Sequence, residues 1–148
     1  MSGVVAQALP GDQVRITTNP DTEPFWEAAK EGRLTACQCG TCGTFRMPPS
    51  PFCPNCQSKS VQWPELSGRA TVFSFSVVHG FPGLKDIVIV AAVLDLEGAP
   101  GARLVSDVVG IDPDDVTIGM EVEAFFSPIA DGWKLPLFRP VGSTATAT

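Results

Sequence analysis

The chain has 148 residues, 44% hydrophobic and 18% charged, with ten Lys and Arg against sixteen Asp and Glu and a single His. This composition excludes a disordered tail or a coiled coil, and the longest apolar run, Ile87–Leu94, is far shorter than the roughly 18 residues a membrane helix needs. The net charge of −6 is concentrated in residues 66–148, which hold five basic and ten acidic groups, the wrong sign for a nucleic-acid footprint.

Residues 1–20 carry Gly, Pro and Asn without a clear period and read as a loose leader. They lack the basic start and apolar centre of a signal peptide, so a cytoplasmic location without membrane association is expected. The stretch DTEPFWEAAKEGRL, Asp21–Leu34, reads as a helix. Asp21 or Thr22 can cap it, Pro24 suits its first turn, and Gly32 can end it. Phe25 and Trp26 are expected to dock this helix onto the rest of the protein, because aromatic side chains bury large areas.

All five cysteines fall between Cys37 and Cys56. Cys39-Gly-Thr-Cys42 and Cys53-Pro-Asn-Cys56 form two C-x-x-C pairs separated by ten residues. Each pair can fold into a tight knuckle that turns both sulfurs to one point, and Gly43 tolerates the backbone such a knuckle needs. A Gly- and Pro-rich segment this short cannot build a core of its own and needs a staple. Four thiolates around Zn²⁺, at about 2.3 Å each, supply one. The absence of a targeting signal favours metal over disulfides, with a redox or iron site the lesser option. Four thiolates fill the coordination sphere, so zinc held by Cys39, Cys42, Cys53 and Cys56 is expected to be structural, with no open position for substrate. Cys37 is left over and reads as a semi-buried free thiol.

From Gly68 the pattern changes to strands. Thr71–His79 alternates with period two, one face being the more apolar. Asp86–Leu96 is a β-branched run expected to be buried on both faces. Arg103–Val109, Glu121–Phe126 and Trp133–Arg139 read as three more strands, the last two joined by a hairpin at Asp131-Gly132. Asp112–Val116 reads as a short helical turn whose acidic run favours its N-terminal dipole. Five strands with a turn between the third and fourth fit an OB barrel, an SH3-like barrel or a sandwich fragment. His79 ends a strand before a Gly-Pro turn, and no nucleophile elbow, phosphate-binding glycine loop or H-E-x-x-H accompanies it. The chain alone is therefore not expected to be an enzyme.

These segments, in this order, resemble a family of zinc-ribbon/OB-fold proteins first catalogued as a domain of unknown function. The helical lead matches at Pro24–Leu34, the ribbon at Cys39–Cys56, the barrel entry at Ser67–His79, and the later strands at Ile118–Phe126 and Leu135–Pro140. The resemblance implies a mainly β fold with an N-terminal helical lead, a rubredoxin-like zinc ribbon and a five-stranded OB-fold barrel. It divides the chain into leader and helix 1–36, ribbon 37–66, barrel 67–140 and a flexible tail 141–148. It further implies a non-catalytic subunit of a hetero-oligomer, paired with a thiolase-superfamily subunit (a thiolase, aldolase or acyltransferase), that helps bind or channel an acyl-CoA thioester. The family often has a basic residue after the Pro-Pro of the ribbon. Here Ser50 follows Pro48-Pro49, and Arg46 is the nearest substitute. Contacts to acyl-CoA or the partner are then expected from Arg46, Phe75, His79, Phe81, Lys85 and Arg139, with Arg69 and Arg103 as further cations for CoA phosphates. The alternative is a nucleic-acid-binding module stacking bases on Phe73, Phe75, Phe81 and Trp133, although few basic residues interleave with them.

Overall fold

The computed structural model describes residues 4–143; residues 1–3 and the end of the expected tail, 144–148, lie outside the described residues. A helix α1 (Glu23–Lys30) leads into a small two-stranded ribbon, β1 (Gln38–Cys39) and β2 (Val61–Gln62). Five strands follow: β3 (Arg69–Phe81), β4 (Leu84–Leu96), β5 (Arg103–Val108), β6 (Glu121–Pro128) and β7 (Lys134–Pro140). Among the described residues no helix is long and apolar enough to cross a membrane.

The five long strands close into a barrel in the order β3-β4-β5-β7-β6. All neighbours are antiparallel except β5 and β7, which run parallel and meet at Val108 and Phe138. That crossover gives the Greek-key order of an OB-like barrel, which a simple meander of five strands cannot produce. The interior is filled by Val72, Val90, Leu94, Val108, Val122 and Phe138, none more than 1% exposed. Each such side chain contributes about 1.5–3 kcal/mol of burial.

The helix is shorter than the sequence suggested. Asn19 Oδ1 accepts the backbone N–H groups of Asp21 and Thr22, so a polar turn precedes the helix and Thr22 caps it without a side-chain bond. At the other end Gly32, with φ of +78°, takes the left-handed position that closes the last turn. Phe25 and Trp26 stack edge to face at 5.2 Å, and Lys30 lies 4.0 Å above the Trp133 ring, which docks α1 beside β7.

Three expectations need correction. The leader is not loose: Ala6 donates to Ile111 O at 2.8 Å and Gln7 to Val88 O at 2.9 Å, while Ala8 is buried with Val109 and Leu137 on the outside of the barrel. Its small residues let the backbone lie close against the strands. β4 is not buried on both faces: Val90, Ala92, Leu94 and Leu96 point inward, whereas Ala91, Val93 and Asp95 are only half-covered on the outer face. The alternation of β3 is also broken. Its register against β4 slips between Val72 and Ser74, so Val72 and Phe75 both face the interior and Phe73 is turned out to solvent. A bulge of this kind bends a strand around a closed barrel, and it moves one residue of an apolar series to the other face.

Candidate metal centre and outer barrel face

The two C-x-x-C segments fold alike. In the first, Cys39 N–H donates to Thr44 O at 2.8 Å and Gly43 N–H to Cys39 O at 3.0 Å. In the second, Cys53 N–H donates to Ser58 O and Gln57 N–H to Cys53 O, both at 2.9 Å. The fifth residue of each knuckle sits in the left-handed region, Gly43 at φ +81° and Gln57 at φ +65°. A non-glycine residue there is strained by about 1–2 kcal/mol, part of which glycine returns through the entropy of the unfolded chain. Gln57→Gly is expected to stabilise the metal-loaded chain by up to about 1 kcal/mol, and Gly43→Gln to destabilise it. Paired thermal melts check both.

The knuckles bring the sulfurs of Cys39, Cys42, Cys53 and Cys56 within 4.8 Å of one another. Cys39–Cys56 and Cys42–Cys53 are each 3.6 Å apart. A tetrahedron with metal–sulfur bonds of about 2.3 Å has edges of about 3.8 Å, whereas a disulfide needs about 2.0 Å. The four side chains are thus free thiols arranged to bind a metal ion. Donors surround them: Thr41 and Cys42 N–H reach Cys39 Sγ at 3.4 and 3.5 Å, and Asn55 Nδ2 reaches Cys42 Sγ at 3.6 Å. The Cys42 N–H is the leading cause that holds the Cys39 thiol below its usual range. The Thr44 hydroxyl, 3.2 Å from Cys42 Sγ, leads in lowering that thiol to about 5. Both shifts favour the thiolate, the form that binds metal, whereas at Cys56 a lowering backbone bond at Ser58 is outweighed by burial and the neighbouring thiols, which push that thiol up to about 12. Cys37 is fully buried outside this set, and burial pushes its thiol up.

The other expected contact residues do not converge. His79, Phe81 and Lys85 are exposed and share the tip of the β3–β4 hairpin. Arg139 lies at the opposite end of β3, beside Glu123, which also pairs Arg69. Ten residues of strand between Arg69 and His79 put these ends on the order of 30 Å apart along the chain. Arg139 is half-buried and covers the Phe125 ring at 4.8 Å. Phe75 packs against the barrel interior. Arg46 is buried in the ribbon, so it offers no surface for a contact.

Sequence reasoning missed a different surface. The outer face of β4 and β5 carries Ala91, Val93, Asp95, Arg103, Val105 and Asp107 in facing register. Val105 is 71% exposed, and Phe73 of β3 lies under the Arg103 guanidinium at 3.7 Å. Arg103 is itself tied to Asp95 at 2.8 Å. An open, mainly apolar groove of about 290 Å³ continues from this face between α1, the Met47–Pro48–Pro49 loop and β5, lined by Phe25, Trp26, Leu104 and Val105. The available signal was the exposure of Phe73, which depends on the bulge, and of Val105, which follows from its pairing with outward-facing Val93.

Two family descriptions match consecutive stretches of the chain: the ChsH2 rubredoxin-like zinc ribbon domain over residues 26–62 and the ChsH2 C-terminal OB-fold domain over residues 63–127. A DUF35 domain-containing scaffold protein of Methanocaldococcus jannaschii is 38% identical over 110 residues, covering 72% of this chain and 77% of that protein. The chain belongs to the ChsH2/DUF35 family of zinc-ribbon/OB-fold proteins. Within that family it is similar to a probable enoyl-CoA hydratase alpha subunit of Thermomonospora curvata, at 38% identity over 127 residues. The match covers 85% of this chain but 39% of that subunit, so the chain spans about two fifths of its length. A chain of the solved Ltp2-ChsH2(DUF35) aldolase superposes with a TM-score of 0.75 at 36% identity, covering 85% of this chain and 98% of that one. A DUF35 protein of unknown function from Sulfolobus solfataricus shares the fold at 18% identity and a TM-score of 0.59.

Proposed function

We propose that this chain is a non-catalytic subunit that docks onto a thiolase-like enzyme and helps bind or channel an acyl-CoA thioester. The observation that carries this reading is the likeness, over nearly the whole of its length, to a DUF35 chain of an aldolase assembly. The chain's own chemistry agrees. Four of its five cysteines gather in one cluster, the fifth is buried, and the only histidine is exposed at a hairpin tip. The nucleophile and acid–base groups of thioester chemistry therefore belong to the partner. Zinc in the four-cysteine site is structural and holds ribbon 37–66 against barrel 67–140, in a cytoplasmic hetero-oligomer. The hydratase names belong to proteins more than twice this chain's length, so that activity is not carried over.

The outer face of β4 and β5, with the groove beside it, is where the partner docks. It combines exposed Val105 and Phe73 with few free charges, as the centre of a protein interface does. An oligonucleotide would need a run of cations beside open aromatic rings. Here Arg103 is engaged by Asp95 and covers Phe73, and Lys30 covers Trp133. CoA phosphates are held mainly by the partner, because the cations Arg46, Lys85 and Arg139 are dispersed.

The test is capture of the tagged chain from its native host, with identification of the bound polypeptide. A thiolase-superfamily subunit is expected, and Val105→Asp should reduce its recovery about tenfold without lowering the melting temperature. Repeated capture without such a subunit, or turnover of a thioester by the purified chain alone, overturns the reading. Calorimetry with acetyl-CoA should show no micromolar binding to the isolated chain; tight binding would transfer the CoA site here.

A further inference from the structure

Arg46 is 5% exposed, and it makes no ion pair among the described residues. Its Nε donates to Ser50 O at 2.8 Å, while Nη1 and Nη2 are buried and make no hydrogen bond. An isolated buried cation costs several kcal/mol, so a folded chain keeps one only where some negative charge compensates it.

The ladder of the first knuckle shows where the side chain points. Gln38 bridges Phe45, Cys39 N–H donates to Thr44 O, and Arg46 N–H donates to Cys37 O at 2.8 Å. Side chains alternate along paired strands. Cys37, Cys39, Thr44 and Arg46 therefore share one face, opposite to Gln38 and Phe45, and Cys39 turns its sulfur to the cluster from that face. The Nε bond to Ser50 then draws the guanidinium toward the segment that ends at fully buried Cys53. Arg46 thus shares a face of the first knuckle's ladder with Cys37 and Cys39, and its guanidinium is held toward the chain that leads to Cys53.

Four thiolates around a divalent metal carry a net charge of about −2. We propose that the Arg46 guanidinium is the buried counter-charge of this metal centre, placed by the Cys37–Arg46 pairing and the Ser50 carbonyl to offset its excess negative charge. The inference rests on the proposed metal occupancy of the four-cysteine site. Arg46 acts through the thiolates as a positioning residue and is not itself a ligand.

The experiment compares the full chain with Arg46→Met, Arg46→Gln and Arg46→Lys. Gln retains a donor for Ser50 O, and Lys retains the charge. Zinc retention is measured by competition with a chromophoric chelator, where Met and Gln should weaken it about tenfold and Lys much less. The second measurement is the midpoint potential of the iron-loaded chain, which a purely structural role would not move. The reduced iron centre is one unit more negative than the oxidised one, so loss of the cation should lower the potential. Each tenfold change in relative affinity equals about 59 mV for one electron. Met or Gln chains with unchanged zinc affinity and unchanged potential overturn the proposal, as does a Lys chain that behaves like the neutral variants. A wild-type chain that takes up no zinc would instead sink the metal reading beneath it.

Discussion

Cys53→Ser is expected to unfold the ribbon while leaving the barrel intact. Structural zinc contributes on the order of 10–16 kcal/mol to a small four-ligand fold, and besides it the ribbon has only the packing of Phe45, Met47 and Trp63 against the core. Its paired strands are two residues each, and Val61 and Phe52 are exposed. The barrel has its own interior in Val72, Leu94, Val108, Val122 and Phe138. Hydrogen exchange should therefore show amides of residues 38–62 opening in the variant, or after chelation of the native chain. Amides of β3–β7 should remain protected. Partner capture should fall with the ribbon, because the Met47–Pro49 loop walls the groove beside β5. A variant with native protection throughout would show that the cysteines do not depend on metal for their fold.

The second large effect concerns Asp107, whose carboxylate is half-buried on the outer face of β5, opposite Ala91. No hydrogen-bond donor or cation meets it among the described residues, and burial pushes its carboxyl up to about 6. The folded state therefore binds this proton more tightly than the unfolded chain, whose aspartates titrate near 3.9. The penalty is fully present above about pH 6, shrinks as the pH falls through that value, and is absent below the unfolded value. Asp107→Asn should stabilise the isolated chain by about 2 kcal/mol at pH 7.5. The gain should diminish steadily toward pH 5. Taking the difference between the two chains at each pH removes the metal centre's own acid sensitivity. A pH-independent difference would show that the carboxylate is already solvated. A group that costs stability on a face assigned to the partner is consistent with a donor arriving from that partner, so the same variant should weaken capture of the partner while strengthening the free fold.

Much of this architecture is legible in the amino-acid order. The four metal-facing cysteines are readable because a C-x-x-C turn is closed by local backbone bonds, which depend only on residues within the knuckle. The five strands are readable because β-branched runs separated by Gly and Pro leave few other conformations. The contact residues are not readable in this way. His79, Phe81 and Lys85 stay together since they flank one turn, but Arg139 and Phe75 are carried elsewhere by strand direction and barrel closure.

Local chemistry along the chain thus determined the ribbon's ligand set and the barrel's strands. Closure of the barrel decided the rest. It required a bulge that expels Phe73, recruited the leader to cover Val109 and Leu137, and brought β5 beside α1 and the proline loop to form the groove. Folding of the ribbon likewise enclosed Arg46, a residue that reads as surface in isolation. These outcomes depend on which side of a strand faces a shared interior. That choice is set by contacts between residues distant in sequence, and a single-residue shift in register reverses it.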